Sequence, residues 1–196
     1  MKALSLDWLF PPICSSCDER GREPFCRLCS EALERGGPLR IPGYDDVSAL
    51  YVFGGPMALA IHRFKEQGRE DIGRALGAML RGRNVPGEDV LPMPGDPRRT
   101  RRRGFNPPSI LAAGLAPKRD WVRRLEARPS QRSLPRAERW TNVRGVFRVQ
   151  GSMRNRDILV IDDVITTGAT AAELARVLRA AGVRRCRLLA LAHAEG

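Results

Sequence analysis

Long apolar runs are missing from this sequence, since no stretch approaches the roughly 18 apolar residues that a membrane-spanning helix needs. The N-terminal stretch MKALSLDWLFPPICSSC has neither a long apolar segment nor the small-residue cleavage site of a secretory signal. We therefore expect a cytoplasmic protein without membrane insertion. A hydrophobic content of 42 % and 196 residues suit one folded core with a small accessory module.

Histidine is scarce as well, and this excludes some chemistry. The two histidines, His62 and His193, have no matching serine or cysteine pattern, so a hydrolytic triad has little support. The G-x-x-x-x-G-K-[ST] loop of nucleotide hydrolases is absent. Cys186, in VRRCRLLAL, is expected to be a small buried residue and not a nucleophile.

Basic residues exceed acidic ones by 34 to 22, which gives a net charge of +12. Such a surplus suits a polyanionic partner, because lysine and arginine neutralise phosphates. However, 31 of the 34 are arginine, a bias that a GC-rich genome also produces, and both interpretations stay open. The local runs make four residues candidates for nucleic-acid contact: Arg98, Arg99, Arg101 and Arg102.

Four of the five cysteines follow the pattern C-x2-C-x8-C-x2-C, at Cys14, Cys17, Cys26 and Cys29. Two such pairs supply the four thiolates that a tetrahedral structural Zn²⁺ prefers. The alternatives are two disulfides, which a cytosolic chain disfavours, or a redox C-x-x-C pair. We predict a zinc-binding module over residues 1–40 and a second domain over 41–196.

The sequence of the second domain predicts an α/β fold. Apolar residues at three- and four-residue intervals predict helices within 57–65 and 70–80, and Pro107 with Pro108 suits the first turn of another helix. Strand–helix–strand order near the end of the chain indicates a parallel sheet covered by helices on both faces. Residues 117–145 carry charges without a clear period, so we expect a mobile excursion there.

The stretch ILVIDDVITTGAT, residues 158–170, places Asp162 and Asp163 after an apolar strand and before a Thr/Gly loop. In a parallel sheet, ligands collect at the carboxyl ends of strands. The N-terminus of the following helix presents unpaired N–H groups that suit a phosphate. A plain helix cap behind two solvent-facing aspartates is the alternative interpretation.

The same stretch resembles the phosphoribosyl pyrophosphate (PRPP) motif of type I phosphoribosyltransferases. The resemblance implies that Asp162 and Asp163 bind the ribose hydroxyls at the catalytic centre. It further implies that one loop holds the 5′-phosphate: Thr166, Thr167, Gly168, Ala169 and Thr170.

Nearly the whole chain is similar to the ComF (GntX-like) family of competence-associated proteins, through the cysteine module, IHRFKEQG, LPMPGDPRRTRRRGFN, the 128–147 block and the PRPP motif. This resemblance implies a type I phosphoribosyltransferase-like sheet and a pyrophosphate loop formed by Met93, Pro94 and Gly95, with Lys65 nearby. Gln131, Arg139 and Asn142 fall on further recurring positions. Pro107 stands where the family usually has glutamine, so any ligand contact of that glutamine is lost.

Two functions are compatible with these features. One is Mg²⁺-dependent phosphoribosyl transfer from PRPP to an acceptor, in which Arg103 and its neighbours stabilise the charge of the leaving pyrophosphate. The other is a non-catalytic role in DNA uptake during natural transformation. In that role the protein binds single-stranded DNA, acts beside a helicase-like DNA-uptake ATPase, and uses the PRPP site as a ligand sensor. The acceptor and the oligomeric state have no sequence signal.

Overall fold

The computed structural model describes residues 13–20, 24–83, 86–115, 121–126 and 143–194. Gln131, Arg139, Asn142 and most of the 117–145 segment lie outside these ranges. Among the described residues, no helix is both long and apolar enough to cross a membrane.

Six strands and six α-helices form the described structure. The strands are β1 Asp46–Val52, β2 Asp89–Pro92, β3 Val122–Arg124, β4 Phe147–Val149, β5 Asp157–Ile165 and β6 Arg185–His193. The helices are α1 Arg27–Glu31, α2 Gly55–Glu66, α3 Glu70–Ala78, α4 Pro97–Arg103, α5 Pro107–Leu111 and α6 Ala169–Ala180.

The main sheet has four parallel strands in the order β1-β6-β5-β2, which confirms the α/β prediction. Alternate residues of β5 face opposite sides of this sheet. Ile158 and Val160 belong to a core with Leu174 of α6, whereas Leu159 and Ile161 belong to a second core with α2 and α3. Both faces are therefore covered, which explains the continuous apolar run in β5.

The cysteine module packs directly against the main domain. Cys14, Phe25 and Cys26 are buried in the same apolar core as Met57 and Ile61 of α2. A module this small has little core of its own. Its attachment to α2 therefore places the cysteine cluster one helix away from the sheet.

From the sequence alone, the arginine-rich segment after residues 89–96 is expected to be a loop. This expectation is wrong, because the segment forms the helix α4. The carboxylate of Asp96 accepts hydrogen bonds from the N–H groups of Arg98 and Arg99 and so caps the helix N-terminus. Pro97 begins the helix, and Gly104 ends it with a left-handed backbone at φ 87°.

A second, two-stranded sheet is antiparallel and consists of β3 and β4. Its first strand falls inside the segment predicted as an excursion. Val122 and Phe147 of this pair are buried with Leu91 and Met93. The pair therefore packs beside the end of β2.

Candidate functional site

A cleft of about 1100 Å³ opens at the carboxyl end of the parallel sheet. Its lining includes four segments: residues 162–171, the loop 93–96, helix α4, and Lys65 with Glu66 at the end of α2. The predicted ribose, phosphate and pyrophosphate residues thus line a single space. The predicted nucleic-acid residues Arg98, Arg99 and Arg102 line it too.

The two aspartates lie within β5, which continues to Ile165, so the expectation that the strand ends before them is wrong. Pro92, the last residue of β2, pairs with Ile161, whereas Asp162 pairs with Ala190 of β6 on the other side. Strand β5 therefore extends beyond its neighbour β2. This overhang leaves one side of the Asp162–Asp163 backbone open towards the cleft.

The two carboxylates have different surroundings because successive residues of a strand face opposite sides. Asp163 forms an ion pair with the ammonium of Lys65, with 2.9 Å between Oδ1 and Nζ. Burial, and then the neighbouring charge of Asp163, raises the pKa of Asp162 to about 8. At neutral pH the side chain of Asp162 therefore favours its protonated form.

The loop predicted to bind phosphate leads directly into α6. Gly168 is its left-handed residue, with φ +71°, and a Cβ there would lie 3.1 Å from Ile41. Helix α6 begins at Ala169, and Thr166 and Thr167 precede the turn. The glycine therefore allows the sharp change of direction that brings the helix N-terminus to the cleft.

The last two residues of α2 connect this helix to the site. The guanidinium of Arg103 donates to the carbonyl of Lys65, at 2.8 Å, and forms an ion pair with Glu66 at 2.7 Å. The preceding residue, Phe64, stacks on Phe105, with ring centroids 5.3 Å apart. Two polar contacts of Arg103 and one aromatic contact of Phe105 therefore hold this segment against α2.

Helix α4 carries arginines of two kinds. Arg98 and Arg101 both form ion pairs with Glu126. For the exposed Arg99 and Arg102, no carboxylate lies within ion-pair distance in the described ranges. The charge available to a polyanion is therefore smaller than the sequence suggests.

Arg124 is a cleft residue that the sequence analysis missed. It ends β3 and lines the cleft, with its guanidinium 5.7 Å from the centre of the Phe147 ring. Burial lowers the pKa of Arg124, against the attraction of Asp96 and Asp162. No sequence signal distinguished it, because β3 is too short to show a period and its segment carries many arginines.

The four predicted zinc ligands come together. Their sulfur atoms all lie within 4.8 Å of one another, and Sγ of Cys17 is 3.7 Å from Sγ of Cys26. Tetrahedral Zn²⁺ with bonds of about 2.3 Å separates its sulfurs by about 3.8 Å. The cluster therefore fits a metal ion such as zinc. Cys186 is separate and fully buried, as predicted.

Helix α2 also holds the first cysteine pair. Arg63 donates to the carbonyls of Ser15 and Ser16, at 3.2 and 3.3 Å, and forms an ion pair with Asp18. The two carbonyls lie between Cys14 and Cys17 in the chain. One helix thus contacts both the cysteine cluster and, through Lys65, the cleft.

No family model matches the sequence. Competence protein F of Haemophilus influenzae is 28 % identical over 208 residues, covering 93 % of this chain and 90 % of that protein. DNA utilization protein YhgH of Escherichia coli O157:H7 is 27 % identical over 198 residues, covering 85 % and 83 %. The YhgH protein of Salmonella typhi is 28 % identical over 194 residues, with the same coverage.

Solved structures that resemble the chain include an allosteric regulatory enzyme of purine biosynthesis, with a TM-score of 0.42 and 21 % identity. That match covers 61 % of this chain and 25 % of the enzyme, so the chain spans about a quarter of its length. A hypoxanthine phosphoribosyltransferase from Staphylococcus aureus matches with a TM-score of 0.37, 16 % identity, and coverage of 67 % and 68 %. The fold class itself rests on the parallel sheet described above.

Proposed function

We propose that this protein binds PRPP in the cleft at the carboxyl end of its sheet and transfers the phosphoribosyl group to an acceptor. Its similarity to competence protein F and to the YhgH DNA utilization proteins is compatible with this proposal. One observation carries this proposal. Asp162, Asp163, the Gly168 turn and the loop 93–96 line the same cleft, although they come from distant parts of the chain.

The proposed roles follow from charge and hydrogen-bonding capacity. The side-chain oxygens of Asp162 and Asp163 accept hydrogen bonds from the ribose hydroxyls. The first N–H groups of α6 and the hydroxyls of Thr166, Thr167 and Thr170 donate to the 5′-phosphate. Acidic side chains next to a phosphate-binding loop would repel a phosphate at the same position. In this proposal the two groups contact opposite ends of one sugar phosphate, so they do not conflict.

The transfer breaks the bond between ribose C1 and the pyrophosphate oxygen, and the leaving group keeps the electron pair. A lone pair of the acceptor then forms the new bond at C1. We propose that Arg124 and Arg103 stabilise the charge on the pyrophosphate, because both residues line the cleft. Mg²⁺, which prefers oxygen ligands, would bind with the pyrophosphate beside the aspartates and supply further positive charge.

Isothermal titration calorimetry with PRPP and MgCl₂ tests the binding step. We expect the wild-type protein to bind, and Asp162→Asn with Asp163→Asn to lose binding. Asp157→Asn is the matched control, because Asp157 begins the same strand and forms an exposed ion pair with Arg184. Absence of PRPP binding by the wild type, or retention by the double variant, would falsify the proposal.

A second candidate function is single-stranded DNA binding. It draws on the similarity to the YhgH DNA utilization proteins and on the exposed arginines Arg99 and Arg102 of α4. We expect affinity to fall with salt and with each of the single changes Arg99→Glu and Arg102→Glu, because within the described ranges no carboxylate lies at ion-pair distance from either residue. Arg101→Glu, at a residue paired with Glu126, should cost less affinity. Salt-independent binding, or equal effects of all three changes, contradicts this function. A helicase-like ATPase as partner stays a prediction.

A further inference from the structure

The side chain of Asn106 is directed at the loop 93–96 and contacts its first residue. Its Nδ2 donates to the carbonyl of Met93, at 3.0 Å, and to Oγ of Ser109, at 3.1 Å. The N–H of Met93 donates to the carbonyl of Ile161, at 2.8 Å, and so continues the sheet by one residue. Both polar groups of Met93 are therefore fixed, one by β5 and one by Asn106.

The other end of the amide faces Gly95. A Cβ at Gly95 would lie 2.5 Å from Oδ1 of Asn106 and 2.8 Å from Oγ1 of Thr100. The loop backbone thus passes against these two side chains, and a larger residue at position 95 would force one or both of them to shift. Oδ1 is buried and has no hydrogen-bond partner in the part of the chain that the structure describes. Such an atom costs stability, so fold stability alone does not account for this amide.

The orientation of the amide is determined by its surroundings. If its nitrogen and oxygen were exchanged, Oδ1 would face the carbonyl oxygen of Met93, and two acceptors would repel each other. The amide therefore holds the Met93 carbonyl towards α5. Pro94 has no N–H, and no backbone acceptor among the described residues receives the N–H groups of Gly95 or Asp96.

We propose that Asn106 is the positioning residue of the loop 93–96. By holding the carbonyl of Met93, it keeps that oxygen away from a bound pyrophosphate. It also directs at the pyrophosphate the N–H groups of Gly95 and Asp96, which have no backbone acceptor among the described residues. This inference rests on the proposed function, because it assigns the loop to the pyrophosphate group of PRPP. Asn106 acts through the backbone of the loop and itself touches neither the ribose nor the 5′-phosphate.

The test compares two ligands that differ only in the pyrophosphate. Calorimetry with Mg²⁺ measures the affinity of Asn106→Leu, which keeps the side-chain shape but removes the donor, for PRPP and for ribose 5-phosphate. Ser109→Ala is the control, because it removes the other acceptor of Nδ2 and leaves the bond to Met93. We expect Asn106→Leu to lower the affinity for PRPP about tenfold or more, which is equivalent to about 1.4 kcal/mol. The affinity for ribose 5-phosphate should be unchanged.

Two results would overturn the inference. An equal loss of affinity for both ligands would show that the role of Asn106 is merely structural, and an unchanged affinity for PRPP would show that Asn106 does not affect the pyrophosphate site. Amide hydrogen exchange at Met93, measured without ligand, separates this inference from the proposed function. Asn106→Leu should expose the Met93 amide to faster exchange, and Ser109→Ala should not. If the wild type binds neither ligand, the proposed function fails, whereas the exchange result still decides whether Asn106 holds the loop.

Discussion

The ammonium of Lys65, at the end of α2, lies 2.9 Å from the carboxylate of Asp163 in β5. Both side chains are mostly buried, with 20 % and 15 % of their surfaces exposed. The pair joins one face of the sheet to the helix that also contacts the cysteine cluster. Under the proposed function, a PRPP ribose bound at Asp163 would meet a carboxylate already oriented by a cation.

Removing the cation should leave a partly buried carboxylate unpaired. We expect Lys65→Met to lower the free energy of unfolding by about 1–3 kcal/mol. Adding Asp163→Asn to Lys65→Met should recover part of this loss, because the charge that lacked a partner is then gone. Urea denaturation of the two single variants and the double variant measures the coupling. Strictly additive losses would show that the ion pair contributes nothing.

The raised pKa of Asp162 predicts a specific pH dependence. The folded protein keeps this proton up to about pH 8, whereas the unfolded chain releases it near the ordinary value of 3.8. The contribution of Asp162 to the free energy of unfolding is therefore greatest below the pKa of the unfolded chain, and it declines as pH rises towards 8. Asp162→Asn should remove that decline.

Thermal unfolding at pH 5 and at pH 8 checks this expectation. The difference in melting temperature between Asp162→Asn and the wild type should become more positive at pH 8. A gain of about 1 kcal/mol corresponds to roughly 2–4 °C for a chain of this size. Asp157→Asn should show no such trend, because Arg184 lowers the pKa of Asp157. A constant difference at both pH values would disprove the assignment.

Contiguous motifs made part of the site predictable. The cysteine spacing predicted the sulfur cluster, and residues 158–170 predicted a carboxylate pair beside a phosphate-type turn at one edge of a parallel sheet. Local capping signals for α4 are also present in the sequence, where Asp96, Pro97 and Gly104 mark both ends of the helix, but they did not lead to its prediction. The arginine runs obscured that signal because they have no apolar period.

Contacts between distant residues could not be predicted. The ion pairs of Glu126 with Arg98 and Arg101 depend on how β3 packs beside α4, and this packing has no sequence pattern. Strand β5 includes two aspartates despite their low strand propensity, because β6 supplies a continuous hydrogen-bonding partner. Tertiary pairing thus overrides local preference at the site itself.

The cysteine cluster predicts one tightly bound zinc per chain. With four protein thiolates the coordination is closed, so we expect a structural ion without a water ligand. Cys26→Ser should lower the zinc content measured by atomic absorption and lower the melting temperature, because Cys26 also belongs to the core with α2. Cys186→Ser is the matched control, since this buried cysteine is outside the cluster. Full zinc content in Cys26→Ser contradicts the assignment.

The hydrogen bonds between Arg63 of α2 and the first cysteine pair predict how long a bound zinc ion is retained. Arg63 holds the carbonyls of Ser15 and Ser16 on the backbone between Cys14 and Cys17. Arg63→Met removes these hydrogen bonds and keeps much of the apolar stem. We expect the same zinc content but a several-fold faster transfer of zinc to a chromogenic chelator, because the backbone of residues 14–17 opens more often. Arg74→Met, at an exposed arginine of α3 that forms an ion pair with Glu70, should leave the transfer rate unchanged. Equal rates in all three proteins would mean that the metal site does not depend on its contact with α2.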